Sequence, residues 1–133
     1  MVYHFPGVSR KPIPATALRT NVDLIKVGVG MDGRYARDSV AAGAEGIAVE
    51  AAGAGAIPAE LGKALNEAAE AGVVVGLTTR CPFGGPAGSF ARQMPNVYGF
   101  AGLNGQKVRL LLMAALGFAQ GDKTALDAVL MNR

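Results

Sequence analysis

The chain has little of several things. Its 133 residues include one cysteine, one histidine and no tryptophan. A single cysteine, Cys81, excludes a disulfide framework and fits a reducing compartment. With His4 and Cys81 as the only strong nitrogen and sulfur donors, no metal site is visible. Carboxylates such as Glu60, Glu67 and Glu70 read as a solvated helix face rather than as ligands. No segment stays apolar for the ~18 residues needed to span a bilayer. The opening MVYHFPGVSRKPIP lacks the basic-then-apolar order of a secretory signal, so a cytoplasmic location is expected. The net charge is +3, but the basic residues are scattered and aromatics make up only 6%. Nucleic-acid recognition needs a clustered basic face with stacking rings, so that class is set aside.

What remains is the composition of one globular domain, with half its residues hydrophobic and abundant alanine and glycine. Residues 1–21 carry Pro6, Pro12 and Pro14 without a hydrophobic period. Proline fixes φ and removes amide donors, so this stretch reads as an extended lead-in or interdomain linker. A regular alternation then runs over residues 22–133. Residues 22–29, VDLIKVGV, form a β-like run. Residues 32–42 suit a short helix with Asp32 as its cap and Gly43 as its stop. A second strand is expected over 45–51. A helix follows Pro58, with Leu61, Leu65 and Ala68 at helical spacing and Gly72 ending it. Residues 73–79, VVVGLTT, read as a strand buried on both faces. After a Gly- and Pro-rich loop, 97–101 is a weaker fourth strand. Val108, Leu111, Leu112, Ala115 and Leu116 mark an amphipathic helix, and Asp122 opens a last one ending near Asn132. The predicted fold is therefore α/β: a three-layer sandwich of about four parallel strands with helices on both faces, a small Rossmann-like or flavodoxin-like domain.

Ligands of such sheets gather at the C-terminal strand ends. Three glycine-marked loops fall there. The first, GVGMDG, is a literal G-x-G-x-x-G with Gly28, Gly30 and Gly33, and Glu50 follows near the distance of a ribose-binding acid. It reads either as a stand-alone nucleotide or small-ligand module or as a plain strand-to-helix turn. The second loop, EAAGAGAIP, is built of small residues and admits a close backbone or ligand. The third, TTRCPFGG, gathers Thr78, Thr79, Arg80 and Cys81. Arg80 suits a carboxylate. Cys81 as a nucleophile would need a base, and the only histidine lies in the lead-in.

The order of these motifs resembles the C-terminal domain of bacterial-type L-asparaginases. Gly30, Met31 and Asp32 follow the first strand. Residues 42–49, AGAEGIAV, are similar to the family's AGxxGIVxxG. Residues 53–58, GAGAIP, resemble its G-x-G-N-hydrophobic-Pro loop, and 79–84, TRCPFG, its S/T-R-C-x-x-G. Residues 103–109, LNGQKVR, with the apolar run behind them, are similar to its L-x-P-x-K-A-R helix. The resemblance covers about residues 20–131.

It implies that GVGMDG is a turn and that no cofactor is used. It implies that the catalytic threonines and a Lys–Asp pair lie in an N-terminal domain, with no catalytic residue in this chain, which is then inactive alone and a fragment or separately encoded half. It implies hydrolysis of L-asparagine to L-aspartate and ammonia, with this domain supplying packing on the N-terminal domain and contacts in a dimer or tetramer. The loop Gly53, Ala54, Gly55 and Ala56 would lie near a neighbouring subunit's active site. Where the family places an asparagine, this chain has alanine, so any contact there is through backbone. Thr79, Arg80 and Cys81 match a region that binds an amino-acid effector in some cytoplasmic members.

Overall fold

A computed structural model describes residues 11–86 and 95–131 of the chain. Four strands and four helices occur among them. In chain order these are β1 (Val22–Lys26), α1 (Arg34–Ala41), β2 (Gly46–Ala51), α2 (Ala59–Glu70), β3 (Val74–Thr79), β4 (Val97–Gly99), α3 (Gly105–Ala119) and α4 (Lys123–Leu130). The strands form one sheet in the order β1-β2-β3-β4, every neighbouring pair parallel. The expected α/β sandwich is present.

Strand parity divides the sheet between two cores. Ile47, Val49, Val75 and Leu77 face α1 and α2, where Ala36, Leu61, Leu65 and Ala68 close the first core. Val22, Ala48 and Val74 face the other way, against Val108, Leu112 and Ala115 of α3 and Leu126 and Leu130 of α4. Two successive right-handed β-α-β crossovers in one direction put α1 and α2 on the same side. No helix joins β3 to β4 among the described residues. After β4, α3 crosses back over the opposite face, antiparallel to the strands: Gly105 lies by Glu50 at one end of β2 and Leu116 by Gly46 at the other. Asn104 caps α3 by accepting from the Lys107 amide at 3.0 Å, and Asp122 caps α4 by accepting from Thr124 at 2.9 Å.

Boundaries differ from expectation where local pattern and pairing compete. β1 stops at Lys26 rather than Val29. Val27 donates a last bond to the Glu50 carbonyl at 2.9 Å, and the chain then turns so that Met31 bonds back to the Gly28 carbonyl. α1 starts at Arg34, with Gly33 at its cap position, although the Asp32 carboxylate does accept the Arg34 amide at 3.0 Å. β4 ends at Gly99, and Phe100 closes the ladder on the Leu77 carbonyl at 2.8 Å. The last helix ends at Leu130, and Asn132 lies outside the described residues. Gly43 and Gly72 stop α1 and α2 in the left-handed region, as expected.

The described part of the lead-in, residues 11–21, forms no helix or strand but is not detached. Arg19 donates its amide to the Met113 carbonyl at 3.0 Å, and Glu45 donates its amide to the Asn21 carbonyl at 2.8 Å. The Arg19 guanidinium pairs with both carboxylate oxygens of Glu45, its Nε at 3.0 Å from each.

This pairing gives the fold an acid sensitivity. The Arg19 hydrogen bonds hold Glu45 below the usual carboxylate range, and those from Lys123 and Tyr98 do the same for Asp127. A carboxyl that binds its proton more weakly when folded stabilises the fold above its unfolded pKa of about 4 and loses that contribution as pH falls through the lower folded value. The urea midpoint is therefore expected to be flat above about pH 5 and to fall below about pH 4. Glu45→Gln should shrink that fall, and an unchanged acid limb in this variant would show that the pair is not its source.

Candidate functional site

The C-terminal ends of β1, β2 and β3 carry the three glycine loops, as their place in a parallel sheet requires. They border an open recess of about 390 Å³, lined by Val27 to Gly30, by Ala52, Ala56 and Ile57, and by Arg80. The loops are stitched together from the third. The buried Thr79 hydroxyl donates to the Gly53 carbonyl at 2.5 Å and accepts from the Cys81 amide at 3.1 Å. Arg80 donates its amide to the Ala51 carbonyl at 3.0 Å and its guanidinium to the Val27 carbonyl. Threonine and arginine thus tie loop three to loop two and to loop one. The second loop is a closed turn in which Ala52 and Ala56 exchange backbone bonds of 3.2 and 2.7 Å. That leaves Ala54 at its exposed tip. Gly55 packs against Pro86. The Cys81 thiol is free and exposed.

The first loop has the spacing of a dinucleotide site but not its geometry. The Gly28 amide points at the Met31 sulfur at 2.8 Å. Gly30 takes a left-handed φ of 75°, and Gly33 is small because a Cβ there would sit 2.6 Å from the Cβ of Ala64 on α2. A carboxylate, Asp32, already holds the first amide of α1 and would repel a pyrophosphate. Glu50 lies on the opposite face of the sheet from α1. Its Oε2 accepts the Gly105 amide at 2.8 Å at the start of α3, and Lys26 sits 3.3 Å from its Oε1. The strand order also never reverses among the described strands, so the sheet has no switch-point crevice. The alternative of a nucleotide module on Gly28, Gly30, Gly33 and Glu50 is therefore not favoured: these residues make a turn, a helix contact and a helix anchor.

Sequence spacing missed that anchor. Lys26, Glu50 and Thr78 stand in register across β1, β2 and β3. Thr78 is fully buried and donates its hydroxyl to the Leu103 carbonyl, two residues before α3 begins. Glu50 and Thr78 together fix where α3 begins. The available signal was the parity of the strands, since both are polar residues at the ends of otherwise apolar runs. A second missed cluster joins β4 to α4: Tyr98 donates to Asp127, and Lys123 bridges both. Burial, then the bond to Asp127, pushes the Tyr98 phenol up from its ordinary value. His4, the one histidine that Cys81 would have needed, lies outside the described residues.

Comparison with known proteins agrees with this geometry. A family model described as the glutaminase/asparaginase C-terminal domain matches residues 21–130. Among solved structures, the chain is similar to a probable cytoplasmic L-asparaginase from Campylobacter jejuni, at 29% identity and a TM-score of 0.73. That alignment covers 86% of this chain and 36% of the other, so the chain spans little more than a third of that protein's length. No curated protein matches the chain in sequence. A match over this span, with its loops at the strand ends where the fold places them, means that the chain belongs to the glutaminase/asparaginase C-terminal domain family.

Proposed function

We propose that this chain serves an L-asparaginase-type amidohydrolase, with hydrolysis of L-asparagine carried out by an N-terminal domain and this domain supplying packing and oligomer contacts. The observation that carries this division of roles is the state of the strand-end hydroxyls. Thr78 and Thr79 are buried, and each donates its proton to a backbone carbonyl. A nucleophilic hydroxyl needs a neighbouring base to take that proton. Glu50 stands in register with Thr78, but its carboxylate is engaged by the Gly105 amide and by Lys26, and both threonine protons are committed to carbonyls.

In the same proposal, Gly53, Ala54, Gly55 and Ala56 lie close to the active site of a neighbouring subunit in a homodimer or tetramer. Alanine brings no side-chain hydrogen bond, so the loop contributes backbone and shape. Thr79, Arg80 and Cys81 form the rim of an effector site for a small amino acid. Arg80 borders the recess and would hold the carboxylate. A cytoplasmic location fits the free thiol and the description of the Campylobacter jejuni protein. Among the described residues, no helix is long and apolar enough to cross a membrane.

The test is direct. The purified chain is expected to release no ammonia from L-asparagine above the uncatalysed rate in a coupled assay. The longer polypeptide containing it is expected to turn over. Ammonia release by the chain alone, at an enzymatic rate, overturns this division of roles.

A further inference from the structure

Helix α3 is apolar almost all the way round. From Val108 to Ala119 its only charge is Arg109, which reaches back to the Val22 carbonyl at 2.7 Å. Such a helix belongs in an interior. Its sheet side is buried through Val108, Leu112, Ala115 and Ala119. Part of its outer side is covered by the lead-in, which crosses so closely at Gly117 that an added Cβ would lie 2.0 Å from the Ala17 carbonyl oxygen. Beside that crossing, Leu110, Ala114 and Phe118 recur at i, i+4 spacing and so share one stripe. Leu110 is 56% exposed and Phe118 36%, and Leu18 of the lead-in, whose backbone abuts Gly117, is 53% exposed. Single exposed apolar residues are ordinary. An aligned stripe on an apolar helix marks a contact surface.

We infer that the stripe of Leu110, Ala114 and Phe118, together with Leu18, is the seat of the larger domain that precedes the lead-in in the same polypeptide. This rests on the reading of the chain as the C-terminal domain of a longer protein. Two observations choose this occupant over a second copy. The chain spans 36% of the similar Campylobacter jejuni structure, so most of such a protein lies outside it. The lead-in, the segment that would connect the two, is docked on α3 at this stripe, which gives whatever precedes it a high effective concentration there.

Hydroxyl-radical footprinting of the 133-residue chain and of the longer polypeptide tests this. Leu110 and Phe118 should be oxidised in the chain alone and lose that oxidation, down to the level of buried Leu112, in the longer polypeptide. Unchanged oxidation there overturns the inference. Protection in the chain alone, whether constant or rising with its concentration, also overturns it, because then this chain's own residues or a second copy cover the stripe. Ammonia release by the longer polypeptide with the stripe still oxidised would sink the docking surface and leave the proposed function. Protection without turnover would do the reverse. The pair Leu110→Ser and Phe118→Ser should leave the urea midpoint of the 133-residue chain near its original value and split the unfolding of the longer polypeptide into two transitions. A single transition there would also overturn the inference.

Discussion

Gly76→Val is expected to lower the stability of this domain by about 3 kcal/mol or more, read as a fall in the urea midpoint. Gly76 lies in the middle of β3 on the side that faces α3. A Cβ there would stand 2.7 Å from Val108 Cγ1, 3.1 Å from Leu112 Cδ1 and 3.2 Å from Phe100 Cε2. All three side chains are fully buried. None is the loose end of a flexible chain, so the added methyls must push α3 off the sheet or force side chains out of their rotamers. Against a domain stability of about 5–15 kcal/mol the loss is large. Gly72→Ala makes the contrast. Nothing lies within 4 Å of a Cβ at that position, and only its left-handed φ of 96° is strained. The cost there should be about 1–2 kcal/mol. Equal midpoints for the two variants would mean that α3 does not press on Gly76.

Glu50→Ala is the second large expected effect, at about 2–3 kcal/mol. The residue is 8% exposed, and its carboxylate accepts the first amide of α3 at 2.8 Å. Removing it leaves a donor buried at a helix start, where the helix dipole also favours a negative charge. Lys26 is mostly exposed and returns to water, so it adds little. Glu50→Gln keeps an acceptor oxygen and loses only the charge, so it should cost about 1 kcal/mol or less. Denaturation of the two variants checks the order. The same two proteins separate this role from a ribose-binding one: calorimetric titration with NAD should give no heat with the parent chain or with either variant. Saturable heat in the parent that Glu50→Ala abolishes would restore the nucleotide site.

The elements that sequence reading found best are those whose physics is local. Residues 74–79, one residue short of the expected run, form a buried strand because a β-branched run suits a pleat covered on both sides. Asp122 caps α4 and Gly72 ends α2 because each acts on amides or φ values within a few residues of itself. The order of short motifs, with TRCPFG and GAGAIP at strand ends, was also legible, and the family match extends over the same span. Spacing could not decide a role where a residue's partner is far along the chain. Glu50 stands at a ribose-like distance from GVGMDG, yet its partner is Gly105, 55 residues on. Met31 fills the space over Gly28 that a phosphate would need. The lead-in was expected to be extended, and nothing local announced that its described residues dock on Met113 and Gly117, in a helix almost a hundred residues away.

By itself, then, the sequence determined the alternation of strands and helices, the glycine stops of α1 and α2, the Asp122 cap, the glycine loops at the strand ends and the family. Each of these follows from period, φ preference or a hydrogen bond within one turn. Only the tertiary structure decided which face of the sheet each helix covers, and therefore where each polar strand-end side chain points. Parity along a strand tells two faces apart without naming them. Naming them takes the handedness of the crossovers and the return of α3, and that return turns Glu50 from a candidate ligand contact into the anchor of a helix.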